Sequence, residues 1–224
     1  MSTSNNQEYY DAKLIRTQDR MSQVGKTLLG NPVDKKMLDI IAENISTAIQ
    51  INGDCVVDLG AGNGLITEAV APQCKKIFAL ELNRGLLAIA KLTCPRNVSY
   101  IESDILSISE KLPEELKYYM YEVLQHLELR DLRTLLADLF KNRNAQSLFI
   151  GGVPDDSRKF DFYCKEESKF FYYRCLEDGN NPIATWWDAG FIKYVCSSMG
   201  LTAKIFQQPA SLYTSHYRFD VLVT

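Results

Sequence analysis

Residues 56–64 read VVDLGAGNG, an apolar run that passes through an acid into a turn with three glycines. The run Cys55 to Leu59 has the length and flanks of a buried strand, and Leu65 to Val70 after the turn is predicted to be helical. Glycine lets the backbone approach a ligand closely, because no Cβ intervenes. The stretch therefore predicts a strand, a ligand-binding turn and a helix in succession.

The spacing within this turn argues against a dinucleotide as the ligand. In a dinucleotide-binding turn the third glycine follows the second by three residues, whereas here Gly64 follows Gly62 by two. Asp58 also ends the strand two residues before Gly60. A carboxylate aimed into the turn repels a pyrophosphate and suits a ligand that carries an ammonium group.

Strands and helices alternate along the rest of the chain. The hydrophobic spacing predicts further strands at Lys76–Leu80, Val98–Ile101, Leu116–Tyr121, Ser147–Ile150, Leu201–Phe206 and Tyr217–Val223, and helices at 34–50, Arg84–Thr93, Leu129–Phe140 and Trp186–Met199. This order is typical of a parallel sheet covered by helices on both faces. Alternating apolar residues suit an antiparallel last strand. The predicted fold is α/β, with a doubly wound, mostly parallel, Rossmann-like sheet of seven strands.

Two more acids follow the ends of predicted strands. Glu81 ends the second strand, where a carboxylate can accept hydrogen bonds from two ribose hydroxyls, and Asp104 follows the third, where it can accept from an adenine amino group. The carboxyl ends of parallel strands share one rim of the sheet, and ligands of open α/β sheets bind there. We therefore expect Asp58, Glu81 and Asp104 around one nucleoside-like ligand.

These segments together resemble a known family. Residues 58–64, Glu81 and the Ser103-Asp104-Ile105 run look like the first three motifs of class I S-adenosylmethionine-dependent methyltransferases, and the resemblance covers about residues 35–150. It implies a methyltransferase fold and S-adenosylmethionine as cofactor. The glycine turn would pass the methionine part, Glu81 would bind the ribose, and the resemblance implies cofactor contacts from Tyr10, Asp58, Gly60, Ala61, Gly62, Glu81, Leu82, Asp104, Ile105 and Tyr121.

The segment after the fourth predicted strand, YEVLQHL at 121–127, is similar to one found in many small-molecule methyltransferases. It would place Tyr121 and Glu122 near the cofactor sulfur and His126 just beyond. A histidine with an ordinary pKa suits a general base for a hydroxyl, so His126 is the predicted catalytic residue. Alignment alone can suffice for methyl transfer, so a dedicated base is left open.

The first half also resembles the dimethyltransferases that modify adenine in ribosomal RNA. Those enzymes follow strand four with Asn-Leu-Pro-Tyr, and this chain has Tyr121-Glu122-Val123-Leu124 there. The formal net charge of −3 also argues against a broad nucleic-acid-binding face, which needs clustered Lys and Arg. We therefore expect no nucleic-acid partner. A function like that of the ribosomal RNA enzymes is kept as an alternative.

Aromatic residues reach 11% of the chain and concentrate between 160 and 173 and at Trp186-Trp187. We predict an N-terminal cap over 1–32 and a methyltransferase domain over 33–224 with an inserted lid at 155–185. Because flat rings suit a sugar or aromatic acceptor, the predicted acceptor contacts are Tyr163, Tyr172, Trp187 and His216. The acceptor is expected to be ring-shaped and roughly neutral.

Composition also bears on metal binding and cellular location. The six cysteines form no Cys-x-x-Cys pair, and hard cations need several convergent carboxylates, so we predict no metal. The N-terminal residues lack the pattern of a secretory signal and no apolar run has the length of a membrane span, so we expect a cytoplasmic protein without a membrane partner. The oligomeric state is left open.

The sequence thus predicts S-adenosylmethionine-dependent O-methylation of a small-molecule acceptor, a sugar or secondary metabolite. Three alternatives stay open, namely N-methylation of a small amine or amino sugar, a ribosomal RNA adenine methyltransferase-like enzyme, and an inactive cofactor-binding module.

Overall fold

The computed structural model describes residues 3–108, 112–179 and 185–224. Its strands are β1 Thr27–Leu28, β2 Asn31–Pro32, β3 Cys55–Leu59, β4 Lys76–Glu81, β5 Val98–Glu102, β6 Lys117–Tyr121, β7 Ser147–Pro154, β8 Ala203–Gln207 and β9 Arg218–Val223. Its α-helices are α1 Thr3–Arg16, α2 Arg20–Gln23, α3 Lys36–Ala48, α4 Leu65–Val70, α5 Arg84–Leu92, α6 Leu129–Ala137, α7 Lys159–Phe162, α8 Glu166–Glu177 and α9 Ala189–Ser198. Short 3₁₀ turns lie at Ala71–Gln73, Leu124–His126 and Asp156–Arg158, and a π-helical turn at Asp138–Asn142 continues α6.

The main sheet has seven strands in the order β5-β4-β3-β6-β7-β9-β8. The pairs from β5 to β7 are parallel, and β9 runs antiparallel to both β7 and β8. The predicted fold class is confirmed, including the antiparallel last strand. The chain leaves β3 toward β4 on one side and returns to β6 on the other, which is the switch point where ligands of such sheets bind.

The central strands are buried on both faces, because helices cover both sides of the sheet. On β6, Tyr118 and Met120 belong to the apolar cluster that contains α6 and α9, whereas Tyr119 and Tyr121 face the cluster that contains α3 and α4. This alternation explains why β3 and β6 read as continuous apolar runs. Packing of helices on both faces fixes the carboxyl ends of these strands below the switch point.

Among the predicted boundaries that differ from the structure, two have a clear local cause. The fifth main strand does not end at Ile150 but continues through Gly151 and Gly152 to Pro154, with a register shift against β9. Gly152 has φ +67°, so its glycine accommodates a bulge instead of ending the strand. The helix predicted to begin at Trp186 begins at Ala189, because the Asp188 side chain accepts a hydrogen bond from Phe191 N at 2.7 Å and caps it there.

The N-terminal segment packs against the carboxyl side of the sheet. Asp11 of α1 accepts a hydrogen bond at 2.9 Å from the side chain of Asn83, which begins α5. The predicted lid contains α7 and α8, and its residues 180–184 lie outside the described residues. The division into a cap, a domain and a lid stays a prediction. No described helix is both long and apolar enough to cross a membrane.

Candidate functional site

A cleft open to solvent lies over the carboxyl ends of β3, β4 and β6 and the loop that follows β5. It brings together most of the residues that the sequence predicts for the cofactor and for catalysis, namely Tyr10, Gly60, Ala61, Gly62, Glu81, Leu82, Asp104, Ile105, Tyr121 and His126. The predicted residues that do not line it are Asp58, Tyr163, Tyr172, Trp187 and His216. The predicted cofactor set therefore converges, with one exception, and the predicted acceptor set does not.

The turn after β3 needs glycine for two different reasons. Gly60 and Gly62 have φ values of +80° and +59°, in the left-handed region that other residues rarely adopt. A Cβ on Gly60 would lie 2.6 Å from a methyl group of Val123, in the loop after β6. A Cβ on Gly62 would have its nearest neighbour at 3.4 Å, in Val24, so this glycine leaves the backbone open to the cleft. Gly60 thus allows close packing and Gly62 allows close approach of a ligand.

Glu81 joins the ends of β3 and β4 at the cleft wall. One carboxylate oxygen accepts a hydrogen bond from Gly62 N at 2.7 Å, and the other accepts from Asn83 N at 2.7 Å. The side chain is only 9% exposed, and burial raises the pKa of the carboxyl above its usual range. Each oxygen retains acceptor capacity beyond these bonds. A ribose with two neighbouring hydroxyls fits this carboxylate.

Asp58 supports the turn from below instead of facing the cleft. It is 3% exposed, and one of its carboxylate oxygens accepts hydrogen bonds from the Thr67 hydroxyl at 2.6 Å and the Tyr119 hydroxyl at 2.9 Å. Burial raises the pKa of Asp58 to about 7, against the effect of those two donors. These bonds link β3, α4 and β6, so Asp58 stabilises the position of the glycine turn.

The part of the cleft wall next to the ends of β4 and β5 carries the predicted adenine contacts. Leu82 is the residue after Glu81, and Asp104 and Ile105 lie in the loop that follows β5. One oxygen of Asp104 accepts from Leu106 N at 2.9 Å, which fixes the carboxylate on the rim. Apolar side chains beside an oriented acceptor suit a flat, amine-bearing ring.

A buried ion pair in the cleft was missed by sequence reasoning. Lys26 is 2% exposed, and its ammonium lies 2.9 Å from a carboxylate oxygen of Glu122 and 5.1 Å from the centre of the Tyr121 ring. Burial alone would raise the pKa of Glu122, but the positive charges of Lys26 and Arg218 outweigh it and hold the pKa below its ordinary value. Lys26 lies between short irregular elements, so no periodicity marks it. The acid after the fourth predicted strand was the only signal.

His126 meets the N-terminal helix at the edge of the cleft. Its Nε2 lies 3.0 Å from the hydroxyl of Tyr10, and the two rings pack edge to face. Burial, helped by the positive charge of Arg218, lowers the pKa of His126 from 6.5 to about 4. The imidazole is therefore neutral at pH 7, which lets it accept a proton but makes it a weak base. Its catalytic role stays a prediction.

We expect His126 to make the protein acid-sensitive. Its folded pKa is depressed, so the unfolded state binds more protons between pH 4 and 6.5, and stability falls as the pH drops through that window. The contribution is about 2 kcal/mol after allowance for partial exposure. Urea unfolding at pH 7.5, 5.5 and 4 should show a smaller acid loss for His126→Asn than for the wild type. Equal slopes would contradict the depressed pKa, and His216→Asn at an exposed position is the matched control.

The predicted acceptor residues lie beside the cleft, not on its wall. Tyr163 and Tyr172 pack with Trp186 and Tyr217 in one buried aromatic cluster at the base of the lid. Trp187 is fully buried and donates from its indole nitrogen to Leu124 O at 3.2 Å, so it supports the turn that carries His126. His216 is exposed and packs on Tyr217. Contact between these residues and an acceptor stays a prediction.

Metal-ligating side chains do not cluster in the part of the chain that the structure describes, where no group of three or more His, Cys, Asp or Glu could hold an ion.

Part of the chain is similar in sequence to known methyltransferases. Residues 56–143 match the family described as "Methyltransferase domain". Ribosomal RNA small subunit methyltransferase A of Alkaliphilus oremlandii is 31% identical over 86 residues, which are 37% of this chain and 29% of that relative. The same enzyme of Koribacter versatilis is 38% identical over 60 residues, 26% and 21% of the two chains. These matches therefore span less than a third of the curated relatives.

Solved structures resemble the chain over nearly its whole length. Magnesium protoporphyrin IX methyltransferase from Synechocystis PCC 6803, with bound S-adenosylhomocysteine, has a TM-score of 0.62 and 12% identity, covering 99% of this chain and 94% of its own. A Leishmania major S-adenosylmethionine-dependent methyltransferase has a TM-score of 0.67 and 14% identity, covering 98% and 81%. The plantazolicin methyltransferase, also with S-adenosylhomocysteine, has a TM-score of 0.61 and 8% identity, covering 99% and 90%. At these identities the shared property is the fold.

Proposed function

We propose that the protein transfers a methyl group from S-adenosylmethionine to an oxygen of a small-molecule acceptor. The premise is that the chain has the fold of class I S-adenosylmethionine-dependent methyltransferases. The observation that carries the proposal is the convergence at one cleft of the glycine turn, Glu81 and Asp104, which come from three successive strand ends. An active enzyme and an inactive cofactor-binding module would both use this set of polar contacts to a nucleoside, and the transfer assay below distinguishes them.

The cleft residues divide between cofactor and acceptor. Glu81 and the open backbone at Gly62 would bind the ribose and the adjoining chain of the cofactor, and Asp104 with Leu82 and Ile105 would bind the adenine. S-adenosylmethionine, when bound, supplies a methyl group on a sulfonium. The protein's part is to align the acceptor and to exclude water, because transfer from such a donor gains most from proximity.

The acceptor would enter at the end of the cleft formed by Tyr10, Gln125 and His126. The neutral imidazole of His126 would accept a hydrogen bond from the acceptor hydroxyl and orient it. Glu122 is already paired with Lys26 through one carboxylate oxygen, so the pair attracts a cationic amine less than an unpaired carboxylate would. That pairing supports an oxygen acceptor over the alternative of N-methylation. His126→Asn with unchanged turnover would remove the imidazole from the reaction.

The ribosomal RNA alternative has support from the curated relatives. Against it, the cleft carries the acids Glu81, Asp104 and Glu122 and the base Lys26, which is itself neutralised by an ion pair. RNA binding gains its affinity from cations that displace counterions along phosphates. A rim of this charge supports a small acceptor.

Two assays separate these readings. The protein with labelled S-adenosylmethionine should transfer label into a metabolite extract filtered below about 1 kDa, and not into small ribosomal subunits. Anisotropy with a fluorescent RNA hairpin should show no binding whose affinity falls steeply between 50 and about 200 mM salt. Label in ribosomal RNA would overturn the small-molecule proposal, and label in neither pool alongside intact cofactor binding would favour an inactive module. Mass analysis of the product distinguishes O- from N-methylation.

A further inference from the structure

Arg218, the first residue of β9, is a buried cation beside the cleft. Its side chain is 6% exposed. One terminal nitrogen donates to the carbonyl of Gly152, and the other donates to the side-chain oxygen of Gln125 at 2.9 Å. Gln125 in turn lines the cleft next to His126. The guanidinium is therefore one side chain away from the end of the cleft where the acceptor would sit.

This guanidinium has no carboxylate partner. Among the described residues no carboxylate oxygen lies within 4.0 Å of it, and its Nε has no hydrogen-bond acceptor. Glu122 is the neighbouring acid, but one of its oxygens is paired with Lys26. Asp220, two residues along β9, accepts from Gly152 N, Gln208 and Asn44. The two buried cations, Lys26 and Arg218, thus have only the Glu122 carboxylate near them in the described part of the chain, and that carboxylate is paired with Lys26.

Leaving a charge buried without a counter-charge is costly, and natural proteins rarely do so without a ligand or function at the site. The hydrogen bonds from Arg218 go to neutral oxygens, which satisfy donors but do not neutralise the charge. The glycine turn follows β3, and two strands, β6 and β7, separate β3 from β9. At about 4.8 Å per strand that is a backbone distance of roughly 14 Å, so Arg218 belongs to the acceptor side and not to the methionine part of the cofactor.

We infer that Arg218 anchors an anionic oxygen group, a carboxylate or a phosphate, of the methyl acceptor. The group would take the place of the Gln125 oxygen on the guanidinium and would use its fixed pair of donors. The aromatic cluster lies directly behind, because the centre of the Arg218 guanidinium is 5.0 Å from the Tyr217 ring. This inference rests on the proposed function, and it replaces the neutral acceptor expected from sequence with an anionic one.

Matched probes test the charge requirement. With the S-adenosylhomocysteine-loaded protein, benzoate and phenyl phosphate should raise the midpoint of thermal unfolding, and the uncharged benzamide and phenol should not. Arg218→Gln should lose at least about tenfold in affinity for the anionic probes while its affinity for S-adenosylhomocysteine stays within about twofold. Equal responses to charged and neutral probes, or no response to either anion, would overturn the inference.

A second variant supplies the counter-charge from within. Gln125→Glu places a carboxylate on Arg218, so it should raise the unfolding midpoint of the ligand-free protein by roughly 3 °C and abolish the response to anions. The control is Gln207→Glu, since Gln207 accepts from the partly exposed Arg158 at 3.2 Å, where a surface pair gains little. A lower midpoint for Gln125→Glu would mean that Arg218 is already neutralised and would overturn the inference. If the wild-type protein does not bind S-adenosylhomocysteine at all, the proposed function is wrong, independently of Arg218.

Discussion

Replacing Gly60 with alanine is expected to cost about 3 kcal/mol of unfolding free energy and to abolish cofactor binding. Two effects add. The left-handed φ of +80° costs a residue with a Cβ about 1 kcal/mol. The new methyl group would also lie 2.6 Å from Val123, and overpacking of this kind costs typically 1–3 kcal/mol, here about 2. Urea unfolding measures the sum.

Two further variants separate the effects. Gly53 has a similar φ of +68° and nothing within 4 Å of its would-be Cβ, so Gly53→Ala should cost about 1 kcal/mol and leave cofactor binding intact. In a Val123→Ala background, Gly60→Ala should cost only about 1 kcal/mol instead of about 3, because the contact is removed. An equal cost of Gly60→Ala in both backgrounds would show that Val123 is not the cause.

Replacing Glu81 with glutamine is expected to weaken the binding of S-adenosylmethionine about 30-fold, or about 2 kcal/mol. The carboxylate accepts from two backbone N–H groups and still has capacity for ribose hydroxyls. In glutamine the NH₂ group must face one of those N–H donors, so a charge-assisted bond is lost and a donor meets a donor. Equilibrium dialysis with labelled cofactor gives the affinity directly.

Glu102 offers the matched control for this substitution. It lies directly beside Glu81 in the sheet register, and its side chain is exposed in an ion pair with Arg84. Glu102→Gln changes the same functional group on the adjacent strand and should leave the cofactor affinity within about twofold, since exposed pairs contribute little. If both variants weaken binding equally, the ribose assignment of Glu81 is wrong.

The half of the site around the glycine turn could be predicted because its signals are local. β3 and α4 were predicted with the bounds that the structure shows, since an apolar run, a glycine turn and an amphipathic segment follow one another directly. Glu81 and Asp104 followed from the rule that parallel strands end at one rim. Asp58 shows the limit of the rule, because the strand end placed it correctly and its hydrogen bonds to Thr67 and Tyr119 turned it away from the cleft.

The side of the cleft proposed for the acceptor could not be predicted, because its contacts join residues that are far apart in the chain. Lys26 and Glu122 are 96 residues apart, and Arg218 and Gln125 are 93 apart. No periodicity or short motif links such pairs. Trp187 was expected to contact the acceptor because aromatic residues concentrate in that part of the chain, and composition alone could not show that its indole is buried and donates to Leu124 O.

Calorimetric titration of the wild-type protein with S-adenosylhomocysteine tests the central claim most directly, because it needs no knowledge of the acceptor. The cleft geometry predicts a single site with a dissociation constant in the micromolar range, about −8 kcal/mol. Absence of any binding heat at about 1 mM ligand, confirmed by an unchanged thermal unfolding midpoint, would contradict the assignment of this cleft to the cofactor.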